Sequence, residues 1–311
     1  MANRSLLDFL TDNRTFNHVV SHLKSIHIHK KEVSWYDFIR VFIYNFKNDE
    51  INTRASAVAF NFTLAIFPSL IFLFTLIPYI PIPDLYEKIS ELISDIAVLE
   101  RLDQTIQDII SKPRAQLLSF SVLLSLYLAT NGMIALMQAF NKIYRTIEKR
   151  GFLKTWTIAV SLTVLLSTSL FLAISLLIVG KFILKFLTEN GFLTQDLVIM
   201  AIFALRFIVI FITFLLVLST IYYFAPALHE KWKFISPGSL VATILTMLVS
   251  YLFSFYVGNF DSYNKLYGSI GTMIALMVWL YLVSMIILSG FEINASLEQA
   301  INRAKRFRNN D

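Results

Sequence analysis

One arginine stands where charge is expensive. Arg206 is the tenth residue of the apolar run LVIMAIFALRFIVIFITF. At ~1.5 Å per residue it lies ~15 Å along a helix, near the middle of a ~30 Å hydrocarbon core. Exposing that charge to lipid costs at least ~2.5 kcal/mol, so such an arginine normally faces protein or water. There it could contact an anionic group of a substrate. The alternative is a span that begins deeper, with Arg206 snorkelling outward to the headgroups. Asn61, Asn131 and Glu292, with neighbouring Thr63, Gly132 and Asn294, fall at one depth of the apolar stretches around them. They could line a polar cavity below Arg206, or hydrogen-bond between helices.

Catalytic chemistry has little to work with. His18 and His22 are spaced i, i+4, with His27 and His29 following. No HExxH, cysteine or acidic partner completes a metal site, and phosphate-binding glycine loops and Gly-x-Ser-x-Gly elbows are absent. No catalytic residue, metal or cofactor is expected, and the chain reads as no enzyme. No Asp or Glu falls near the middle of an apolar stretch, which disfavours proton transport through buried carboxylates. Sodium coupling through carbonyls and asparagines stays open.

The elements that must position these residues are membrane helices. Of 311 residues only 15% are charged and 56% are apolar, with a mean hydropathy of +0.64. Soluble proteins carry about 25% charged residues, and a chain of this length has no larger core in which to hide the excess. Six stretches qualify as spans: 55–81, 116–138, 156–180, 197–224, 237–257 and 268–291. Met1–Asn13 has no apolar h-region, so the first span is expected to direct insertion. The fold class is an all-α integral membrane protein with three parts: a segment 1–54, a six-span domain 55–295 and a basic tail 296–311.

The basic residues sort by side. Segments 1–54, 139–155, 225–236 and the tail hold nineteen Lys and Arg, and the intervening loops hold seven. The positive-inside rule then puts both termini in the cytoplasm of a plasma membrane. It also explains the net charge of +6 without nucleic acid as a partner.

Two amphipathic segments flank the spans. Ser34 opens a helix whose Trp35, Phe38, Ile39, Phe42, Ile43 and Phe46 share one face, with Asp37 in a capping-box-like position. It reads as a helix lying in the cytoplasmic interface, or as a soluble helix packed on other loops. Residues 84–110 place Leu85, Ile89, Leu92, Ile96 and Leu99 at helical spacing on the outer side. They could cap the bundle, rest on the membrane or pair with another copy of the chain. Pro68, Pro78, Pro226 and Pro237 mark kinks or span ends, and Gly268, Gly271 and Gly290 allow close helix approach.

Four stretches carry a family resemblance: RASAVAFNFTLAIFPSLIFLF at 54–74, NGMIALMQAFNKIY at 131–144, YYFAPALHEKWKFISPG at 222–238 and YNKLYGSIGTMIALMVWLYLVSMIILSGFEINA at 263–295. In this order they resemble the YihY/BrkB family of bacterial inner-membrane proteins, once labelled ribonuclease BN. The resemblance implies six spans and a role in the cell envelope, and transport of lipids or other anionic molecules has been suggested for the family. It brings no catalytic residues. The expected function is a transporter or flippase for an anionic or amphipathic envelope component, working among membrane lipids. A non-transporting scaffold of envelope assembly is the first rival, and a membrane-bound nuclease a distant one.

Overall fold

The computed structural model describes residues 27–28, 33–76, 115–189, 195–228, 232–259 and 269–310. Its elements are a two-residue ladder, β1 (His27–Ile28) and β2 (Val33–Ser34), followed by α1 (Trp35–Asn48), α2 (Ile51–Leu76), α3 (Ala115–Ile143), α4 (Phe152–Glu189), α5 (Gln195–Phe224), α6 (Pro237–Asn259) and α7 (Ser269–Asn310). The strands pair antiparallel, His27 opposite Ser34 and Ile28 opposite Val33. Segment 84–110, Pro78, Gly268 and His18, His22 and His29 lie outside the described residues.

Five of the described helices, α3 to α7, are long and apolar enough to cross a membrane. Without water, a helix is the form that satisfies every backbone group within one segment. Its hydroxyls follow suit: Thr63, Thr163 and Thr213 donate to the carbonyls of Ala59, Ala159 and Val209, four residues back, at 2.8, 2.9 and 2.7 Å. The first predicted span, 55–81, corresponds to α2 and is described as far as Leu76, with Pro68 buried inside it.

Helices α2 to α7 form a ring in chain order. Each packs on the next, and α7 returns to close on α2. The core fills one end of this ring. Val58, Met133, Leu136, Phe140, Leu288 and Phe291 are among its fully buried side chains, and Phe140 stacks on Phe291 with centroids 4.2 Å apart. Toward the opposite end α5, α6 and part of α7 lose their buried side chains, while Ser121 of α3, Ala173 of α4 and Gly271 of α7 stay buried. Among the described residues none is buried in α5 before Val217, in α6 after Thr246, or in α7 from Met273 to Val283. The filled end, which also carries α1, the 144–151 connection and residues 225–228 and 232–236, is called the polar end below.

Two helix starts show local chemistry at work. Ser34 caps α1 by accepting from the Asp37 amide at 3.1 Å, while its hydroxyl donates to the Asp37 carboxylate at 2.6 Å. The expected box therefore closes side chain to side chain. Glu50, at φ 49°, then turns the chain from α1 into α2. At α6, Ser236 and Ser239 cap each other: each hydroxyl accepts from the other's amide, at 3.2 and 3.0 Å, and Pro237 occupies the first helical position, where no amide is needed.

The last helix extends well past the span end expected at 291. It continues to Asn310, so much of the expected tail is helix, because α1 packs along it. Val33, Val41 and Ala300 form a small core there, with Phe38, Ile301 and Ala304 around it. Elsewhere on α1, Trp35, Ile43 and Tyr44 are exposed.

Candidate functional site

A buried polar layer crosses the polar end. Glu292, fully buried on α7, accepts a short hydrogen bond from the Ser296 hydroxyl one turn on. Asn45 of α1 donates to Ser296 Oγ and to Gln299 Oε1, both at 3.1 Å. A single asparagine thus docks α1 onto α7. The second Glu292 oxygen, Oε2, and Asp49 Oδ2 are buried without a hydrogen-bond partner among the described residues. Asp49 lies between α1 and α2, with Arg145 Nη2 at 3.6 Å from Oδ1. Burial pushes its carboxyl above the usual range, against the pull of Arg145 and Arg54.

Next to this layer α6 crosses α7 backbone to backbone. A methyl at Gly238 would overlap the Gly290 carbonyl, and one at Gly290 would come 2.7 Å from the Ala242 Cβ. Asn294 spans the crossing, accepting from the Gly238 amide and donating to Ser236 Oγ, both at 2.8 Å. Tyr222 of α5 donates to the Ile287 carbonyl at 2.6 Å. Glu298 receives the Tyr144 hydroxyl at 2.9 Å and the Trp232 indole N–H at 2.7 Å.

The 144–151 connection is tied to the end of α5. Asn141 donates to Glu148 at 2.8 Å and accepts from the Ala227 amide at 2.8 Å. Arg150 grips Glu148 through Nε and Nη2 at 2.7 and 2.6 Å and also donates to the Ala225 carbonyl at 2.9 Å. The Arg150 hydrogen bond holds the Glu148 carboxyl below its usual range.

Beyond Gly238 and Gly290, α6 and α7 bound an apolar crevice of about 350 Å³, lined by Val249, Leu252, Phe253, Tyr256, Ile274, Ala275, Val278 and Leu282. Trp279 stacks on Phe253, centroids 6.1 Å apart, and its indole donates to Ser250 at 3.3 Å.

The four residues expected to bind substrate do not converge. Glu292 is in the buried layer. Asn61, half-buried on α2, donates to its own helix at the Ala57 carbonyl, 2.8 Å away. Asn131 is half-buried on α3, beside Gly132, whose missing side chain admits the Phe62 ring of α2. Arg206 is exposed on α5, next to Leu205, which covers Gly180 of α4. It lies ~27 Å along α5 from Phe224 and the polar end. Of the structural residues, Pro68, Pro226, Gly271 and Gly290 are buried or at close contacts. Asn45, Ser296 and Glu298 escaped the sequence reading, although Tyr144 and Trp232, which hold Glu298, stand inside the family stretches. Among the described residues no group of three His, Cys, Asp or Glu could hold a metal.

Comparison with known proteins gives a consistent picture. The family described as virulence factor BrkB matches residues 42–311. A Bacillus subtilis protein named ribonuclease-like protein YfkH is 32% identical over 84% of this chain and 95% of its own length. UPF0761 membrane proteins of Psychromonas ingrahamii and Stenotrophomonas maltophilia are each 26% identical, covering 83% and 84% of this chain and 86% and 60% of their own lengths. No solved structure matches. The chain is thus a multi-pass helical membrane protein and belongs to the BrkB family.

Proposed function

We propose that this protein is an inner-membrane transporter or flippase for an anionic amphiphile of the cell envelope. Its six helices α2 to α7 all span the membrane, and both termini are cytoplasmic, which puts the polar end inside. The observation that carries the reading is the packing gradient along α5, α6 and α7: among the described residues their buried side chains gather toward the polar end, and the apolar crevice between α6 and α7 lies where they have few. Such a crevice suits acyl chains, and ring-shaped bundles that close at one face and open at the other suit alternating access. Arg206 supplies the cationic contact. Counting from the polar end, it lies ~27 Å along α5 and Tyr256 lies ~28 Å along α6, so the arginine is level with the far mouth of the crevice. Asn61, Asn131 and Glu292 belong to the half through which the headgroup would leave.

The test is leaflet exchange in proteoliposomes. Fluorescent phosphatidylglycerol in the inner leaflet should become accessible to an external quencher only when the protein is present. Ala275→Trp, which fills the crevice, should abolish exchange, and Arg206→Ala should slow phosphatidylglycerol more than phosphatidylcholine. Equal exchange with and without protein would sink the transport reading. That outcome would favour the scaffold reading, which the backbone contact of Gly238 and Gly290 and the hydrogen-bonded polar layer also suit.

A further inference from the structure

At the polar end, away from the α6–α7 crevice, the start of α4 and the end of α5 bound a second recess of about 380 Å³. Lys149, Arg150 and Lys154 line it together with Ile147, Ile158, Phe224, Pro226, Ala227 and Leu228. Its composition among the described residues is one-sided: three cations, no acid and six apolar residues. Arg150 is already neutralised by Glu148 and holds the Ala225 carbonyl. Lys149 and Lys154 are exposed and have no ion pair among the described residues. Beside them Ile147, Phe152 and Leu153 are 77%, 79% and 76% exposed. Three such side chains next to two free lysines are costly in water but suited to the boundary between headgroups and acyl chains, where lysine also snorkels.

We propose that this recess is a binding site for an anionic phospholipid of the leaflet that meets the polar end. Lys149 and Lys154 hold the phosphate, while Ile158, Phe224 and Leu228 take the proximal part of the chains. Arg150, locked between Glu148 and Ala225, forms the rigid floor. A soluble anion would have no use for the apolar wall, and a zwitterionic lipid would meet two cations with its own charge already balanced. Gly151 contributes room: a Cβ there would meet nothing within 4 Å, so the approach to the first turn of α4 is open. The site does not depend on the transport reading, because a lipid can be held here whether or not another is moved through the crevice.

Binding to the purified full chain in detergent tests this directly, with short-chain phosphatidylglycerol, short-chain phosphatidylcholine and glycerol phosphate as probes. Native mass spectrometry counts bound lipid and thermal unfolding reports the affinity. Phosphatidylglycerol should bind saturably and raise the unfolding midpoint, and the other two should not. The double variant Lys149→Ala/Lys154→Ala should bind roughly 30-fold more weakly, at ~5-fold per lysine, and Lys149→Arg/Lys154→Arg should bind as the wild type does. If the double alanine variant is unstable, Lys149→Gln and Lys154→Gln, each weakening binding ~5-fold, serve in its place. The proposal is overturned if the alanine variants bind phosphatidylglycerol unchanged. Equal protection by glycerol phosphate would show a simple anion site, and equal binding of phosphatidylcholine an unselective lipid surface; either overturns it too.

Discussion

Asn294 ties the first turn of α6 to the middle of α7 with one side chain, and its partners Gly238 and Ser236 are buried. Asn294→Ala should therefore destabilise the protein by ~1–3 kcal/mol, the cost of stranding buried polar groups. Asn294→Asp, which keeps the acceptor and loses the donor, should fall between, as thermal unfolding in detergent followed by circular dichroism would show. Glu148 gives a residue-scale pH dependence. Its folded pKa lies below its unfolded value, so the stability it supplies is complete above about pH 4.5 and is lost as the pH falls through the folded value. The unfolding midpoint should drop on acidification below that point. Glu148→Gln should flatten this part of the profile and start from a lower midpoint at neutral pH. The sequence shows Asn294 as a motif member, yet its task is invisible there, because its partner Ser236 is 58 positions away and no single-helix pattern links them. Glu292 was legible as an acid at a span end. Its setting was not, because Asn45, which joins the layer through Ser296, comes from α1.

Among the elements, the α6–α7 crossing carries the sharpest contrast. Gly238→Ala puts a methyl into the Gly290 backbone and should cost ~3 kcal/mol, the upper end for overpacking, or prevent assembly. Gly151→Ala meets open space and should change stability by no more than a gain of ~0.4–1 kcal/mol. Both follow from unfolding midpoints of the two variants beside the wild type. Helix identity was readable from apolar length, and the spans 197–224 and 237–257 differ from α5 and α6 by two residues or fewer at each end. Gly290 was readable as a packing glycine, whereas Gly238, beside Pro237 at a span end, looks like turn punctuation. Helix α7 runs on past the expected span end for a related reason. Hydropathy falls after Phe291, but helix persists where a second helix offers a surface, and α1 does so through Val41 and Asn45.

For the whole molecule, the order of helices around the ring cannot be read from hydropathy, which ranks each segment alone and says nothing of its neighbours. Closure of α7 on α2 brings Val58, Met133, Phe140, Tyr222 and Phe291, one or two from each motif region, into a single core at the polar end. Topology is testable at this scale. A green fluorescent protein fused after Asp311 should fluoresce, and alkaline phosphatase fused within the 181–196 loop should be active; the reverse pattern would invert the proposed orientation.

The unbroken length of α7 has a mechanical consequence. From Val278 at the crevice to Arg303 beyond α1 it runs 25 residues, or ~38 Å, with no interruption. A tilt of about 5° at the crevice, pivoting where Gly238 meets Gly290, is therefore geared into a displacement of order 1–2 Å at the far end, taking ~20 Å as the arm beyond the pivot. There Asn45 holds α1 to the same rod. Under the proposed topology, whatever wedges the crevice open would therefore register at the other end of α7, where Asn45 holds α1, without any ligand having to travel there.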